Sequence, residues 1–366
     1  MEYLERIGCI HIHTTFSDGS AKHHEIARLA ARAGLDYLIV TDHNTYVPEY
    51  QGWYSGARKI SRQGIIGGTL LLVGEELHDP GHSQANHYLA LNAGEELRAY
   101  ADGPGQLVAA VRERGGLGFI AHPYEHSGAY SHEDEINWVD WGVVGFTGLE
   151  IWNYMSEFKA YLPNLPVALL YAYAPRLAIT GPFPETLVRW DGLLGQRKVV
   201  ALGGVDAHAH VYQVGPLKRQ VFGYEHLFRT VTTHLLLAEP WNGQLRHDGG
   251  LVYEALAAGR AFVAYEALAS ARSFSFTAEQ GSRTFTLGDE LPEGRATRFR
   301  VQTPVPAHLR LVLNGFCVAE ATASEMVYES RVPGAYRVEA YRRYAFKERG
   351  WVFTNPIYIK SETGHR

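Results

Sequence analysis

Histidines and carboxylates stand at the ends of apolar runs in the first two thirds of the sequence. His11 and His13 close the first run, and Asp18 follows five residues later. Residues i and i+2 of a strand share a face, so both imidazoles can reach one metal ion. The same residue types recur at five further runs, in Thr41-Asp42-His43, Gly74-Glu75-Glu76, His87, His122-Pro123 and Asp206-Ala207-His208. Histidine and carboxylate ligands without thiolates suit Zn, Mn or Fe, so the pattern predicts a metal site.

Secondary structure must hold these groups in place. From residue 7 to about 266, short apolar runs alternate with amphipathic segments, which is typical of βα units around a parallel sheet. The predicted strands are 7–13, 36–41, 70–76, 87–91, 118–122, 148–153 and 199–206, and the predicted helices include 22–33, 105–114 and 185–194. The spacing fits either a (β/α) barrel or a doubly wound sheet. Because the carboxyl ends of parallel strands converge on one rim, we expect the ligand candidates to meet there.

Strand alternation separates two neighbours at one strand end. Only one of Asp42 and His43 can point inward, so we assign His43 to the site and Asp42 to a supporting or helix-capping role. Glu150 and Asn153 stand at the end of another run. They either orient ligands or substrate, or cap a helix.

Candidate substrate contacts are Arg229, His210 and Asn153. His210 either lines the site or lies in an exposed loop. Arg229, with Lys218 and Arg219, is among the basic residues nearest to the motifs. Each of the three could neutralise an anionic substrate, and surface solvation is the alternative for each.

The sequence pattern changes after Ala271. Residues 273–277, 283–286, 297–301 and 310–313 alternate with period two. Asn314-Gly315, between two apolar runs, is a strong hairpin signal. We therefore place a boundary near 268–272 and expect one α/β domain over 1–270 and a small β-sandwich over 272–366.

Composition narrows the class of protein. The 366 residues include 34 Lys and Arg against 39 Asp and Glu, a net charge of −5 that gives no basic field to attract nucleic acid or an anionic membrane. Two cysteines, Cys9 and Cys317, exclude a disulfide framework and a thiolate zinc cluster. No signal-like segment opens the sequence, and no apolar run reaches ~18 residues. We expect a soluble, cytoplasmic protein with no membrane partner and no specific nucleic-acid partner.

The motifs in their order resemble a known superfamily. HIHTTFSDGS, TDHN, GEE, NHYLAL, AHP and GGVDAHAH are similar to the successive motifs of the PHP (polymerase and histidinol phosphatase) superfamily, and they cover residues 8–210. The tail resembles the carbaryl hydrolase-like (CehA/McbA) branch, whose β-rich C-terminal domain ends in W-x-x-x-N-P-I-Y, here Trp351 and Asn355-Pro356-Ile357-Tyr358. The resemblance implies a metallohydrolase with a distorted (β/α)7 barrel and up to three metal ions.

The resemblance also implies which residues bind each ion. Matched position by position, the three sets are His11, His13, Glu76 and Asp206; Glu76, His87 and His122; and Asp18, His43 and His208. The family pattern G-x-E places the bridging carboxylate at Glu76, and alternation then turns Glu75 away. We expect Glu76, Asp206 and His208 to be catalytic, with two to three divalent ions of Zn, Mn or Fe as cofactors.

The expected reaction is hydrolysis of a phosphodiester or aryl phosphoester of a small molecule. Hydroxide would form from a water that bridges two ions about 3.5–4 Å apart. A third cation would match the charge spread over a phosphoryl transition state. The alternative among enzymes is hydrolysis of a carbamate or carboxylic ester. The alternative outside enzymes is a non-catalytic, metal-stabilised module that binds a partner.

Aromatic residues are enriched between the sixth and seventh predicted strands. They are Tyr154, Phe158, Tyr161, Tyr171, Tyr173, Phe183 and Trp190. Either they cover the metals as a lid that favours aryl or nucleoside groups, or they pack a helix onto the core.

Overall fold

The computed structural model describes residues 3–51, 59–131, 134–214 and 217–361. The strands are β1 (Leu4–Ile10), β2 (Tyr37–His43), β3 (Glu49–Gln51), β4 (Lys59–Ser61), β5 (Gly64–Ile66), β6 (Thr69–Leu77), β7 (Tyr88–Leu91), β8 (Leu117–Ile120), β9 (Gly148–Asn153), β10 (Val200–Gly204), β11 (Val211–Val214), β12 (Leu217–Gln220), β13 (Val231–Leu237), β14 (Ala261–Tyr265), β15 (Ser275–Gln280), β16 (Arg283–Phe285), β17 (Glu290–Leu291), β18 (Thr297–Leu313), β19 (Phe316–Ser330), β20 (Gly334–Tyr344), β21 (Lys347–Thr354) and β22 (Ile357–Ile359). The helices are α1 (His23–Ala33), α2 (Pro104–Glu113), α3 (Tyr154–Ala160), α4 (Leu165–Tyr173), α5 (Pro184–Leu194), α6 (Tyr224–Leu227) and α7 (Leu245–Ala258). Within these ranges, no helix combines the length and the apolar character needed to cross a bilayer.

Seven strands of the N-terminal part form a ring. β1, β2 and β6 run parallel, β7 pairs antiparallel with both β6 and β8, and β8, β9 and β10 run parallel again. β10 returns to β1 just beyond the ends of the two strands, where Val205 N donates to Ile10 O and Ala207 N donates to His11 O. The fold is mixed α/β, and the ring corresponds to the distorted seven-strand barrel that the resemblance implies.

The antiparallel strand explains one detail of the ligand pattern. The other candidate ligands end or follow their strands, but His87 precedes β7. Since β7 runs opposite to its neighbours, its amino end lies beside their carboxyl ends. His87 therefore reaches the same rim as the other ligand candidates.

The three helices with predicted bounds, α1, α2 and α5, lie within one residue of them. α1 buries Ile26, Ala27 and Ala30 on one face, and it stops at Gly34, whose φ of +84° favours glycine. α2 and α5 begin at Pro104 and Pro184, in the first helical turn, where the missing N–H loses no helical hydrogen bond.

The C-terminal part is built of strands, as its alternation predicts. β18 and β19 pair around Asn314 and Gly315, whose φ values of +49° and +87° form the predicted two-residue turn. The two strands predicted at 297–301 and 310–313 form one long strand, β18, which continues through Pro304 and Pro306. The register of β18 against β19 shifts at these prolines, which cannot donate a backbone hydrogen bond.

One sheet runs from the barrel side into the C-terminal part. β21 pairs with β14, which in turn pairs with β13. Just after β21, the Asn355 amide accepts from Ala201 N (2.7 Å) and donates to Ala201 O (2.8 Å) and Ala261 O (3.0 Å). The side chain thereby bonds β10 and β14 as a piece of strand backbone would. A division into domains over 1–270 and 272–366 stays a prediction.

Replacing Asn355 by Ala should lower the free energy of unfolding by about 2–4 kcal/mol, because the buried backbone groups of Ala201 lose their partners. Chemical denaturation measures this loss. Glu329→Ala, on an exposed position of β19, is the control and should change the same free energy by less than about 0.5 kcal/mol. A loss below about 1 kcal/mol for Asn355→Ala would show that the amide bonds do not hold the junction.

Candidate metal centre

The ligand candidates meet at the rim formed by the carboxyl ends of the parallel strands. In three groups of side chains, the donor atoms lie within 4.8 Å of one another, so that the members of one group could hold one ion. The groups are His11, His13, Glu76 and Asp206; His13, Asp18, His43 and His208; and His43, Glu76 and His87. The first equals the first predicted set, the second contains the third predicted set, and the third shares Glu76 and His87 with the second predicted set.

Glu76 lies at the centre of these groups, almost wholly buried near the end of β6. Its Oε2 faces three imidazole nitrogens, His11 Nε2 at 3.0 Å, His13 Nε2 at 3.2 Å and His43 Nδ1 at 3.1 Å. Its Oε1 faces two more, His87 Nδ1 at 2.7 Å and His122 Nε2 at 3.2 Å. Burial favours the neutral acid, but the surrounding histidines hold the pKa of Glu76 well below its usual range. A charged carboxylate with its two oxygens facing different imidazoles has the arrangement of a bridging ligand.

Four of the rings use their outer nitrogen to donate a hydrogen bond. The pairs are His11 Nδ1 with Glu150 Oε1 (2.8 Å), His87 Nε2 with Ser83 O (2.9 Å), His122 Nδ1 with Ile136 O (3.3 Å) and His208 Nδ1 with Asp206 O (3.0 Å). These carbonyl and carboxylate oxygens accept, so the outer nitrogen carries the proton. The inner nitrogen of each ring is left to face the centre, where it can bind a proton or a metal ion.

Four buried atoms of the centre have no hydrogen-bond partner among the residues that the structure describes. They are His11 Nε2, His13 Nε2, His43 Nδ1 and Glu76 Oε2. Nitrogen lone pairs and a carboxylate oxygen at these short separations repel one another unless a cation lies between them. Bound protons or metal ions can supply that charge. The donor set of imidazole nitrogens and carboxylate oxygens therefore fits divalent ions such as Zn, Mn or Fe.

Three ligand candidates have backbone conformations that residues with a side chain rarely adopt. His11, His122 and Asp206 have φ values of +66°, +25° and +51°. Glu150 holds two of them, since its carboxylate accepts from His11 Nδ1 and from His122 N (2.8 Å). Asn153 Nδ2 donates to Glu150 Oε2 (3.0 Å), and its Oδ1 caps α3. Glu150 and Asn153 thus orient the ligands, and Asn153 also caps a helix.

The neighbours of the inward residues point away from the centre. Glu75 Oε2 accepts from Leu97 N (3.0 Å), and burial raises the pKa of Glu75 to about 8. Asp42 accepts from Thr14 N (2.7 Å), so it supports the turn that follows His13. Alternation along the two strands accounts for both arrangements.

The other substrate candidates occupy different positions. His210 lines the cavity above the centre, and its Nε2 donates to Asp18 O (2.8 Å). Arg229 lies on the surface, where it pairs with Glu225 (3.0 Å) and donates to Arg32 O. The fold therefore does not bring Arg229 to the centre. The basic residues that line the cavity are Lys159, Lys218 and Arg219.

Two residues beside the centre were not among the sequence-based candidates. His78, two residues beyond Glu76, stacks on His87 with 4.5 Å between ring centroids. Its place at the end of β6 is a signal that could have found it. The Tyr224 hydroxyl lies 2.8 Å from His13 O and 3.1 Å from His208 O, and it links two segments that carry ligands. Nothing in the local sequence marks Tyr224.

No protein-family model matches this sequence, and no curated protein matches it. Among solved structures, it is similar to a two-domain protein from Bacteroides vulgatus that contains a predicted PHP-like metal-dependent phosphoesterase, with a TM-score of 0.41 and 14% identity over 97% of this chain and 95% of that one. It is also similar to a protein from Bifidobacterium adolescentis assigned as a metal-dependent phosphoesterase (TM-score 0.33, 16% identity, 57% and 91% covered). An amidohydrolase from Chromobacterium violaceum matches with a TM-score of 0.27, 14% identity, and 60% and 95% covered. The description of the Bacteroides vulgatus protein names the same superfamily that the motif order resembles, and the CehA/McbA branch stays a prediction.

Glu76→Gln should abolish metal-dependent activity and lower kcat/KM by more than about 100-fold. Mutating a residue that only supports a metal ligand costs up to about 100-fold, and loss of a ligand should cost more. The amide cannot provide two anionic oxygens to two sets of imidazoles. Glu75→Gln is the matched control and should keep kcat/KM within about threefold, since Leu97 N keeps its acceptor. Steady-state kinetics and metal content measured on both variants decide which of the two glutamates faces the centre. Equal losses of kcat/KM in the two variants would contradict the assignment of Glu76.

Metal binding should release protons. Burial lowers the pKa of His13 and His122, but neighbouring carboxylates outweigh it and raise both pKa values to about 9, so these rings hold protons at pH 7.5 in the metal-free protein. An ion must displace them, so the apparent affinity should rise with pH and fall in acid. Calorimetric titration of Mn²⁺ or Zn²⁺ into stripped protein, in two buffers of different ionisation enthalpy, counts the protons.

We expect at least one proton released per chain at pH 7.5. His82→Gln is a matched control, because this side chain is 86% exposed and pairs with Asp79 outside the centre. It should leave the proton count unchanged. A binding heat that is independent of the buffer would overturn the expectation.

Proposed function

We propose that this protein is a metal-dependent phosphoesterase that hydrolyses phosphodiesters or aryl phosphoesters of small molecules. The set of buried, unpartnered nitrogen and oxygen atoms carries this proposal, because two of the residues that hold them, His43 and Glu76, line a cavity. A structural metal site is closed by its protein ligands. Here Asp18, His43 and His208 are partly exposed and line the cavity, so that a substrate can reach the centre.

The proposed ligands are the sets that the resemblance implies. They are His11, His13, Glu76 and Asp206; Glu76, His87 and His122; and Asp18, His43 and His208. When bound there, two or three divalent ions supply Lewis acidity toward phosphoryl oxygens and lower the pKa of water. The protein then needs no nucleophile of its own.

The side chains of the chain itself position donors and accept protons. Glu150 fixes the tautomer and ring direction of His11, and Tyr224 ties the backbone of His13 to that of His208. His208 donates from Nδ1 to Asp206 O, so its Nε2, 3.2 Å from Asp18 Oδ1, faces the cavity floor. This nitrogen would bind the third ion where three ions are held, and would take a proton where only two are held. This gives His208 a catalytic role beside Glu76 and Asp206.

Basic side chains in the cavity support an anionic ester as the substrate. Lys159 is held by Glu125 (2.8 Å), and Arg219 lies over the Tyr173 ring at 3.9 Å. Lys218 is exposed at the same cavity. A phosphodiester gives these cations a negative charge to attract, whereas a neutral carbamate or carboxylic ester does not.

The test compares four substrates after removal and return of the metal. A chelator should remove the activity of the protein, and Mn²⁺ or Zn²⁺ should restore it. The restored protein should hydrolyse bis(p-nitrophenyl) phosphate with a higher kcat/KM than p-nitrophenyl phosphate, a hexose phosphate or p-nitrophenyl acetate. Metal-dependent turnover of the acetate alone would favour the carboxylic ester hydrolase instead. Metal binding with no turnover of any of the four would favour the binding module.

A further inference from the structure

The cavity above the metal centre has two chemically different regions. It measures about 650 Å³, and its floor is made of the polar ligand candidates. One wall is apolar and comes from α3, the turn that follows it, and α4. We call it the α4 wall and define it by Met155, Phe158, Leu162, Leu165, Ala168 and Leu169.

The α4 helix is unusual for a surface helix. Its sequence, LPVALLYAY, has no charged side chain, and of its nine residues only Ala172 is buried. A surface helix ordinarily places polar residues on its outer face. Leu169 is 40% exposed beside the cavity, so part of the apolar surface of α4 is left open to a ligand.

The helix is nevertheless fixed in place. Asn164 caps its first turn by accepting from Val167 N (3.1 Å). At the other end, Arg219 donates to Ala172 O (2.7 Å) while its guanidinium lies over the Tyr173 ring. A helix held at both ends presents a preformed wall, and a ligand need not order it on binding.

The side chains of the α4 wall are mainly aliphatic. Of the seven aromatic residues that the sequence places in this region, Tyr154 and Trp190 are buried in the core, and Trp190 Nε1 donates to Val199 O (2.9 Å). Phe158 and Tyr173 are the two of the seven among the described residues that line the cavity. Leucine, methionine and alanine side chains lie along a flexible chain without imposing the flat slot that an aromatic ring needs.

We propose that the substrate carries an aliphatic chain, which lies along the α4 wall while its phosphoester group reaches the metal centre. This inference rests on the proposed phosphoesterase function and names its substrate class. The chain would remove open apolar surface of Leu165 and Leu169 from water, and affinity should grow with each methylene group.

Alkylphosphonates test the chain without being hydrolysed. Titration calorimetry of the metal-loaded protein should show hexylphosphonate binding at least about tenfold more tightly than methylphosphonate. Phenylphosphonate should bind less tightly than hexylphosphonate. The same order should appear in inhibition of bis(p-nitrophenyl) phosphate hydrolysis.

Two adjacent leucines provide matched variants. Leu169→Asn should weaken hexylphosphonate binding at least about fivefold and leave methylphosphonate binding unchanged. Leu170 is 51% exposed and is not among the described residues that line the cavity, so Leu170→Asn should leave both affinities unchanged. Both positions are on the surface, and circular dichroism checks that each variant is folded.

Each result has a defined meaning. Equal affinities for hexyl- and methylphosphonate, or tighter binding of phenylphosphonate, would overturn the proposal that the substrate carries an aliphatic chain. In that case, metal-dependent hydrolysis of bis(p-nitrophenyl) phosphate would still support the phosphoesterase function. Equal losses from Leu169→Asn and Leu170→Asn would also overturn the chain's place on the α4 wall. If hexylphosphonate is preferred but no phosphoester is hydrolysed, the subsite stands and the proposed function fails.

Discussion

A buried negative charge is stable only with positive charge beside it. Glu76 is such a charge, and it lies at the rim of the barrel. Its carboxylate is enclosed by histidines that come from four different strand ends. Three of those rings, His11, His87 and His122, direct one nitrogen inward while the other nitrogen donates to an acceptor outside. Glu150, Ser83 and Ile136 supply such acceptors. The histidines around Glu76, and the acceptors that hold those histidines, thus serve to balance the charge of one carboxylate.

Much of the centre could be predicted because its ligands sit at positions that strand geometry controls. Alternation lets only one of Glu75 and Glu76 face inward, and the resemblance to the G-x-E pattern selects Glu76. Alternation likewise separates His43 from Asp42. The helix ends and the turn at Asn314 could be predicted for a similar reason, since proline and glycine act on their own backbone. In all of these cases the relevant physics is local to a few residues.

What could not be predicted depends on contacts between distant segments. Arg219 and Arg229 are equally basic in sequence, but the hairpin of β11 and β12 carries the first to the cavity, and Glu225 holds the second on the surface. Tyr224 joins two ligand-bearing segments from a position about 200 residues away from one of them. The exposure of α4 likewise depends on which other segments pack against it, and the local sequence does not show this.

The bond between Asn355 and Ala201 has a consequence for the order in which the chain folds. Its partners are 154 residues apart. Ala201 belongs to a strand that ends just before Asp206, and Asn355 follows β21. Long-range pairings of this kind form late, because the loop between them must be closed before the contact contributes any stability. The strand that leads to Asp206 therefore gains these hydrogen bonds only after Asn355 has folded back onto it. The position of one of the central carboxylates is thus secured by a segment far along the chain.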